Sequence, residues 1–352
     1  MGHARTVIAD LLRVHPAAGT RVVALRAGAT ILVPLLVLAG TDRLTWGLYA
    51  VFGAFAAVYG GSTAARGRWR VQAHAGSLLV AAATTGAAVA LSEHRAWLAV
   101  PVAAAWAALA ADASDRRRWV PPGPLFVVFA VGACSARPTE PHEVPVALGI
   151  AGGTAALALA LGVLDERRPR PAPPAPAARH TPPAADRRRL HVARVAVAVG
   201  VAGVLATASG IGHPYWAMVA AVVPLAVPRL RAQVVRALQR ALGTTVGIGL
   251  AAVLLSVPLS PLAAVLVAAA LQGVAELLVV RNYGAALVFI TPLALLMGHL
   301  AHPEPVGDLV VDRLAETLLG IAVGLLVAWV TRQRPAPAVP APPAPPGPSL
   351  AG

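Results

Sequence analysis

The chain has 352 residues, of which 57% are hydrophobic and only 12% charged, and long apolar blocks of this kind indicate a membrane protein rather than a soluble domain. The net charge of +14 comes from arginines in short clusters between those blocks, which membrane topology explains without nucleic acid. The lone Cys134 excludes an intrachain disulfide and a cysteine-based metal site, and no cofactor is predicted.

Twelve apolar segments follow a basic N-terminal segment, residues 1–21. A helix needs about 20 residues to cross the hydrocarbon core of a bilayer. We place the segments at about 22–40, 46–61, 73–91, 96–112, 120–135, 144–164, 192–209, 214–228, 241–257, 260–280, 283–300 and 309–331. Those at 46–61, 120–135 and 214–228 are short, which leaves open whether they cross completely. The predicted fold class is an all-α polytopic membrane protein.

The arginines predict the orientation of these segments. If the gaps alternate between the two sides, 23 arginines fall on the side of the N-terminus and three on the other. Because cytoplasmic loops are rich in basic residues, both termini are expected in the cytoplasm. The expected location is the inner, or plasma, membrane.

Two Pro-rich stretches divide the chain. Residues 165–190 are predicted to be a cytoplasmic linker and residues 332–352 a disordered tail, because neither can bury a core. The rest is predicted to form two membrane repeats of six helices each, 22–164 and 191–331.

The two repeats share a short motif. Leu-Gly-Ile-Ala begins at Leu148 in the first repeat and at Leu319 in the second. Copies with an even number of spans insert the same way up, so an axis along the membrane normal should relate them. Transport sites in such folds usually lie where the repeats meet.

Two acidic residues occupy equivalent places in the fourth segment of each repeat. Asp112 and Glu276 both lie near its cytoplasmic end. An ionisable group within a span is costly to bury, so each is a candidate for carrying a coupling proton. The alternative is a surface ion pair, of Glu276 with Arg281 and of Asp112 with the arginines at 116–118.

The last segment opens with Asp312, Arg313 and Glu316. Glu316, Gly320 and Gly324 recur every four residues and share one helix face. Glycines predict close helix contact, which would carry Glu316 into the protein interior. Glu316 is therefore a candidate for taking the coupling proton, and Arg313 for binding an organic anion. The alternative is a local Arg313–Glu316 ion pair, which contributes little if it is exposed.

Three more arginines are candidates for anion binding: Arg26, Arg194 and Arg281. Arg26 and Arg194 lie near the cytoplasmic starts of their segments. There they either extend to the lipid phosphates or bind a substrate carboxylate.

Three aromatic residues are candidates for stacking on a substrate: Tyr215, Trp216 and Tyr283. Tyr215 and Trp216 begin a segment on the outer side. For this pair the alternative is the aromatic belt that commonly forms at the membrane interface.

Four stretches of the second repeat carry a resemblance to a known family. They are Tyr215-Trp216 with the apolar run after it, Arg240-Ala-Leu-Gly-Thr-Thr-Val-Gly247, Asn282-Tyr283-Gly-Ala-Ala-Leu-Val-Phe-Ile-Thr-Pro292 and Arg313-Leu-Ala-Glu-Thr-Leu-Leu-Gly320. The chain resembles the fusaric acid resistance protein-like (FUSC) family of the aromatic acid exporter superfamily. The resemblance implies an efflux transporter for aromatic carboxylic acids and related compounds, and not an enzyme. Many members carry a cytoplasmic domain where this chain has a Pro-rich linker.

The sequence contains no Walker-type phosphate loop, which favours a secondary transporter driven by protons. An organic-anion channel and a non-transporting membrane scaffold stay open as alternatives. The expected partners are the lipid bilayer and small organic anions, with no nucleic acid and no metal. A homo-oligomer is left open.

Overall fold

The computed structural model describes residues 2–16, 20–60, 67–167 and 185–332. Within these ranges all regular secondary structure is helical, as the sequence predicts. The predicted linker lies outside them at 168–184, and the tail from residue 333 onward.

The described chain contains thirteen α-helices and two short 3₁₀ stretches. The α-helices are α1 (Gly2–Leu12), α2 (Thr20–Gly40), α3 (Gly47–Ala54), α4 (Arg68–Val89), α5 (Arg95–Arg117), α6 (Leu125–Ser135), α7 (Glu143–Glu166), α8 (Ala185–Ala208), α9 (Tyr215–Leu225), α10 (Leu230–Leu255), α11 (Pro261–Val279), α12 (Tyr283–Ala301) and α13 (Val306–Val330). The 3₁₀ stretches, Leu44–Trp46 and Phe55–Val58, flank α3. Helices suit these apolar segments because each satisfies its backbone hydrogen bonds internally, as lipid requires.

Eight of the described helices are long and apolar enough to cross a membrane: α2, α5, α7, α8, α10, α11, α12 and α13. The chain is therefore a multi-pass membrane protein. Three apolar helical stretches are shorter, Leu44–Val58, Leu125–Ser135 and Tyr215–Leu225. They are the segments that the sequence marks as short, and the number of twelve spans stays a prediction.

The short helices lie at the centre of the molecule. α6 and α9 have 11 residues each, or about 16 Å of helix, against about 30 Å of hydrocarbon. Every residue of α9 is buried, so protein rather than lipid encloses it, as a short helix at membrane depth requires. Phe129 of α6 contacts Phe52 of α3 and Trp216 of α9, with ring centroids 5.0 and 4.6 Å apart.

Helix pairing in the first half (α2–α7) has a counterpart in the second half (α8–α13). In the first half α7 packs on α3 and α4, and α6 packs on α4 and α5. In the second half α13 packs on α9 and α10, and α12 packs on α10 and α11. The halves meet where α2 packs on α11 and where α8 packs on α5, contacts that also correspond.

Two glycines bring α13 close to α9. A Cβ on Gly320 would meet the carbonyl oxygen of Ala217, and one on Gly324 would meet that of Ala221. The close helix contact predicted from these glycines is present. It turns this face of α13 toward the protein interior.

Gly320 and Gly149 occupy the same position in the two Leu-Gly-Ile-Ala motifs, but only Gly320 is tightly packed. A Cβ on Gly149 would meet nothing within 4 Å. Overpacking a close contact typically costs about 1–3 kcal/mol. We therefore expect Gly320→Leu to lower the thermal stability of the purified protein, measured in detergent, and Gly149→Leu to leave it unchanged. Equal melting temperatures for the two variants would contradict the described packing.

The N-terminal segment, residues 2–16, docks on the second half of the protein. Arg231, at the start of α10, donates a hydrogen bond to the carboxylate of Asp10 at 2.6 Å. Asn282, just before α12, donates to the backbone carbonyl of Leu11 at 2.8 Å. The start of the chain thus covers one end of α10 and the turn between α11 and α12.

Candidate functional site

α13 carries charged residues into the interior of the protein. Pro305 precedes the helix, and Asp308 lies in its first turn, where a carboxylate interacts favourably with the helix dipole. Arg313, Glu316 and Gly320 follow at spacings of three and four, so they share one face. Because this face packs on α9, Arg313 is only 1% exposed and Glu316 is 0% exposed.

Arg313 and Glu316 are buried without satisfied polar contacts. Neither the three guanidinium nitrogens nor the two carboxylate oxygens have a hydrogen-bond partner among the described residues. The exposed local pair that the sequence left open is therefore not formed. The backbone N–H of His213 faces the carboxylate and interacts with it electrostatically, outside hydrogen-bonding geometry. Burying an ion costs several kcal/mol, and intramembrane residues that bear this cost are typically functional.

An aromatic group lies beneath Arg313. Its guanidinium carbon is 3.5 Å from the ring centroid of Trp216, within range of a cation–π interaction. The ring of Tyr215 lies 4.8 Å from that of Trp216, centroid to centroid, and stacks on Phe129 at 6.1 Å. Tyr215 and Trp216 are 8% and 4% exposed. The interpretation as an interface belt is therefore wrong, because neighbouring helices enclose the short α9.

A second buried arginine interacts with Arg313. Arg240 of α10 is 3% exposed, and its Nη1 donates to the hydroxyl of Tyr283 at 3.3 Å. Its Nε and Nη2 have no hydrogen-bond partner in the described part of the chain. Arg240 and Arg313 repel each other electrostatically, while Glu316 attracts Arg313. Two cations and one carboxylate thus share this region.

Three threonine hydroxyls in α10, α12 and α13 are also buried. They belong to Thr244, Thr291 and Thr317, and none has a hydrogen-bond partner within the described ranges. Thr291 comes close to α10 because Gly247 has no side chain, and a Cβ there would lie 2.8 Å from the Cβ of Thr291. Each hydroxyl both donates and accepts hydrogen bonds, so a ligand or water can use it.

Three ionisable side chains form a far-side cluster, at the end of α12 opposite the N-terminal segment. Nε2 of His213 is 3.2 Å from Oε2 of Glu304, and its Nδ1 is 3.6 Å from Oδ2 of Asp312. All three side chains are partly exposed. No group of three or more such residues in the described chain is arranged to hold a metal ion.

A separate charged network lies where α7 ends, on the linker side of the first half. The carboxylate of Asp165 accepts hydrogen bonds from Arg26 at 3.0 Å and from Arg68 at 2.8 Å. Arg26 also donates to the carbonyl of Ala57, and Arg68 to that of Gly162. Arg26 is 6% exposed, so the interpretation that it extends to the lipid phosphates is wrong. Sequence reasoning missed Asp165 and Arg68, which fall in the predicted linker and loop.

Glu276 lies near this network, at the contact between α2 and α11. It is 8% exposed, accepts a hydrogen bond from Gln272 at 2.9 Å and interacts electrostatically with Arg26. The surface pair with Arg281 is therefore wrong, because the carboxylate is buried and faces the first half. Its burial keeps it a candidate for proton exchange, at a place separate from Glu316.

Asp112 is part of a surface ion-pair group. It pairs with Arg116 at 2.7 Å and with Arg188 at 3.0 Å. Its side chain is 33% exposed. This arrangement agrees with the surface-pair alternative and not with a buried proton carrier.

Arg194 and Arg281 lie apart from Arg313. Arg194 donates to the backbone carbonyl of Ala328 at 3.3 Å, and Arg281 donates to that of Leu277. Of the predicted candidates, the structure therefore brings together Arg313, Glu316, Tyr215, Trp216 and Tyr283.

The fold and the site define a multi-pass helical membrane protein with a buried charged site in its second half. Residues 201–327 match the family described as "Fusaric acid resistance protein-like", which confirms the resemblance carried by the sequence motifs. The matched region includes every residue of the charged site on α9, α10, α12 and α13.

A curated relative is known for part of the chain. The "Uncharacterized membrane protein YvaC" of Bacillus subtilis (strain 168) is 32% identical over 126 residues. The alignment covers 36% of this chain and 20% of the relative, so this chain spans about a fifth of that protein's length. No solved structure matches the chain.

Proposed function

We propose that this protein exports aromatic carboxylic acids or related organic anions and is driven by the protonmotive force. The observation that supports this most directly is Arg313, buried on Trp216 and without hydrogen bonds to described residues. A buried cation of this kind is stabilised when a carboxylate enters and forms charge-assisted hydrogen bonds. Glu316, one turn along the same helix, then supplies a group that takes up a proton.

The charges around Arg313 favour an anion. Arg240 and Arg313 contribute two positive charges, and Glu316 contributes one negative charge when it is ionised. The site therefore has an excess of positive charge in either protonation state of Glu316, and a substrate carboxylate reduces this excess by binding a guanidinium group in a bidentate manner. The aromatic ring of the substrate then packs against Trp216 and Tyr215, where an aromatic pair contributes about 0.5–1.5 kcal/mol.

The same arrangement couples anion binding to the protonation of Glu316. When Glu316 is ionised, it attracts Arg313 and repels an entering carboxylate. When Glu316 is protonated, the full charge of Arg313 is available, so the protonated site binds the anion more tightly. Export then requires that Glu316 take its proton from the far side and release it to the cytoplasm before the anion leaves, so that the proton moves inward while the anion moves outward. The membrane potential acts on the anion as well, by about 2.3 kcal/mol per charge per 100 mV. A potential that is negative inside drives the anion outward.

The proposed architecture is two six-helix repeats, α2–α7 and α8–α13, related by an axis along the membrane normal. The matched helix pairing supports this arrangement. Arginine distribution supports placing both termini and residues 165–190 in the cytoplasm, with the chain in the inner, or plasma, membrane. The substrate then enters from the side of the N-terminal segment and leaves near the far-side cluster.

Transport by purified protein in lipid vesicles tests the proposal. We expect saturable benzoate transport that an imposed potential and an imposed pH gradient both change. Cyclohexanecarboxylate has the same charge without an aromatic ring, so it should bind about two- to tenfold more weakly. Flux that follows only the electrochemical gradient of the anion, without proton coupling, would favour a channel. The absence of flux for either acid would favour a scaffold.

A further inference from the structure

We propose that His213 is the group through which Glu316 exchanges protons with the far side of the membrane. This inference rests on the proposed function, in which Glu316 takes up a proton. It assigns a role to a side chain that lies between the charged site and the surface of the protein.

The exposure of the ionisable groups increases stepwise from the charged site to the surface. Glu316 is 0% exposed. The side chain of His213 is 14% exposed, and those of Asp312 and Glu304 are 25% and 30% exposed. In this order of exposure His213 occupies the position between Glu316 and the two carboxylates nearer the surface.

His213 contacts each of the surrounding elements. Asp312 faces the imidazole from α13, and Glu304 faces it from the connection between α12 and α13. The carboxylate of Glu316 interacts with the backbone N–H of His213 rather than with the ring. From α9, the ring of Tyr215 lies edge-on, with centroids 5.8 Å apart. The carboxylates of Glu304 and Asp312 thus lie on opposite sides of the ring, one at each ring nitrogen.

The chemistry of imidazole suits a relay, because one ring nitrogen binds a proton while the other releases one. A solvent proton binds to His213 at Nε2, on the side of Glu304. The imidazolium then releases the proton on Nδ1 to Asp312, whose Oδ2 lies 3.6 Å away, and Asp312 passes it to Glu316, one turn further along α13. The ring is left as the Nε2–H tautomer and regains its starting tautomer by exchanging ring protons with solvent before the next cycle.

The equivalent position in the first half is not a histidine. His213 lies three residues before Trp216, and the residue three before Trp46 is Arg43. Arg43 lies over the ring of Trp46, with its guanidinium carbon 4.7 Å from the centroid. Arginine does not titrate in proteins, so the residue at this position of the first half cannot relay a proton.

The test compares wild type, His213→Ala and His213→Gln in vesicles with one protein orientation. Benzoate binding at equilibrium should stay within about twofold of wild type, since Arg313 is intact. Proton-coupled benzoate transport should fall by about 10²-fold, the typical contribution of one proton-transfer group. Imidazole added on the far side should restore the rate of His213→Ala, whereas imidazole on the linker side should not. The control is His302→Ala, an exposed histidine two residues from Glu304.

The outcomes separate this inference from the proposed function. Wild-type rate and pH profile in both His213 variants would overturn the relay while leaving the transporter intact. Loss of benzoate binding in both variants would also overturn it, because His213 would then have a structural role. If wild-type protein transports benzoate with no dependence on pH, the proton-coupled function fails first and the relay fails with it.

Discussion

Replacing Glu316 with glutamine should abolish the response of benzoate transport to an imposed pH gradient while preserving the fold. The amide has nearly the size of the carboxyl group but does not titrate. The variant corresponds to the protonated state, so its affinity for benzoate should be high and independent of pH. Wild-type affinity should fall as the pH rises, because ionised Glu316 competes for Arg313. Binding and transport measured across a pH series would show both effects.

Two further variants complete this test. Glu316→Asp retains a titrating group and should keep partial activity. Glu276→Gln alters the other buried carboxylate, at the contact of α2 with α11. A wild-type pH response in Glu316→Gln, together with its loss in Glu276→Gln, would move the coupling proton to Glu276.

Replacing Arg313 with glutamine should remove anion binding without destabilising the protein. Charge-assisted hydrogen bonds contribute about 1.5–3 kcal/mol, so benzoate affinity should fall about 10- to 100-fold. The free energy of unfolding should be unchanged or higher, because the change removes a buried charge that has no hydrogen bonds to described residues. Calorimetric binding and denaturation in detergent measure the two quantities.

Arg68 provides the matched control. It is equally buried, but it is bonded to Asp165 at 2.8 Å and to the carbonyl of Gly162 at 3.2 Å. Arg68→Gln should therefore lower the free energy of unfolding by about 1.5–3 kcal/mol. It should leave the intrinsic affinity for benzoate unchanged. If Arg313→Gln destabilised the protein as much as Arg68→Gln, Arg313 would be a structural residue.

The sequence predicts the centre of this site because one helix carries it. The spacing of Glu316, Gly320 and Gly324 defines a single face, and glycines on that face require a close neighbour. Burial of Glu316 follows without knowledge of the partner helix. The motifs around Tyr215 and Tyr283 carry the resemblance to the family. They do not predict the distances between these residues in the fold.

Arg240 and Arg68 could not be predicted as buried, because a topology count treats every arginine near a segment end as a loop residue. The predicted segments begin at 241 and 73, whereas α10 begins at Leu230 and α4 at Arg68. Hydropathy does not detect a helix that continues through polar residues inside the protein. Their burial depends on tertiary partners such as Asp165, which lies 97 residues from Arg68 in the chain.

The environment of Tyr215 and Trp216 depends on helix packing as well. In a full-length span, aromatic residues at the segment start lie at the lipid interface. α9 has only 11 residues, all of them buried, so its start lies inside the protein. Sequence shows that the segment is short but not what surrounds it.

The docking of the N-terminal segment has a consequence for biosynthesis. Asp10 and Leu11 are synthesised 221 and 271 residues before their partners, Arg231 and Asn282. At about 5–20 residues per second, this separation corresponds to about 10–50 s of translation. During that interval the first half is already made, while the N-terminal segment has no surface on which to dock. A cross-link between positions 10 and 231 would therefore mark chains whose second half has been inserted and folded, and would be absent from nascent chains arrested before α10.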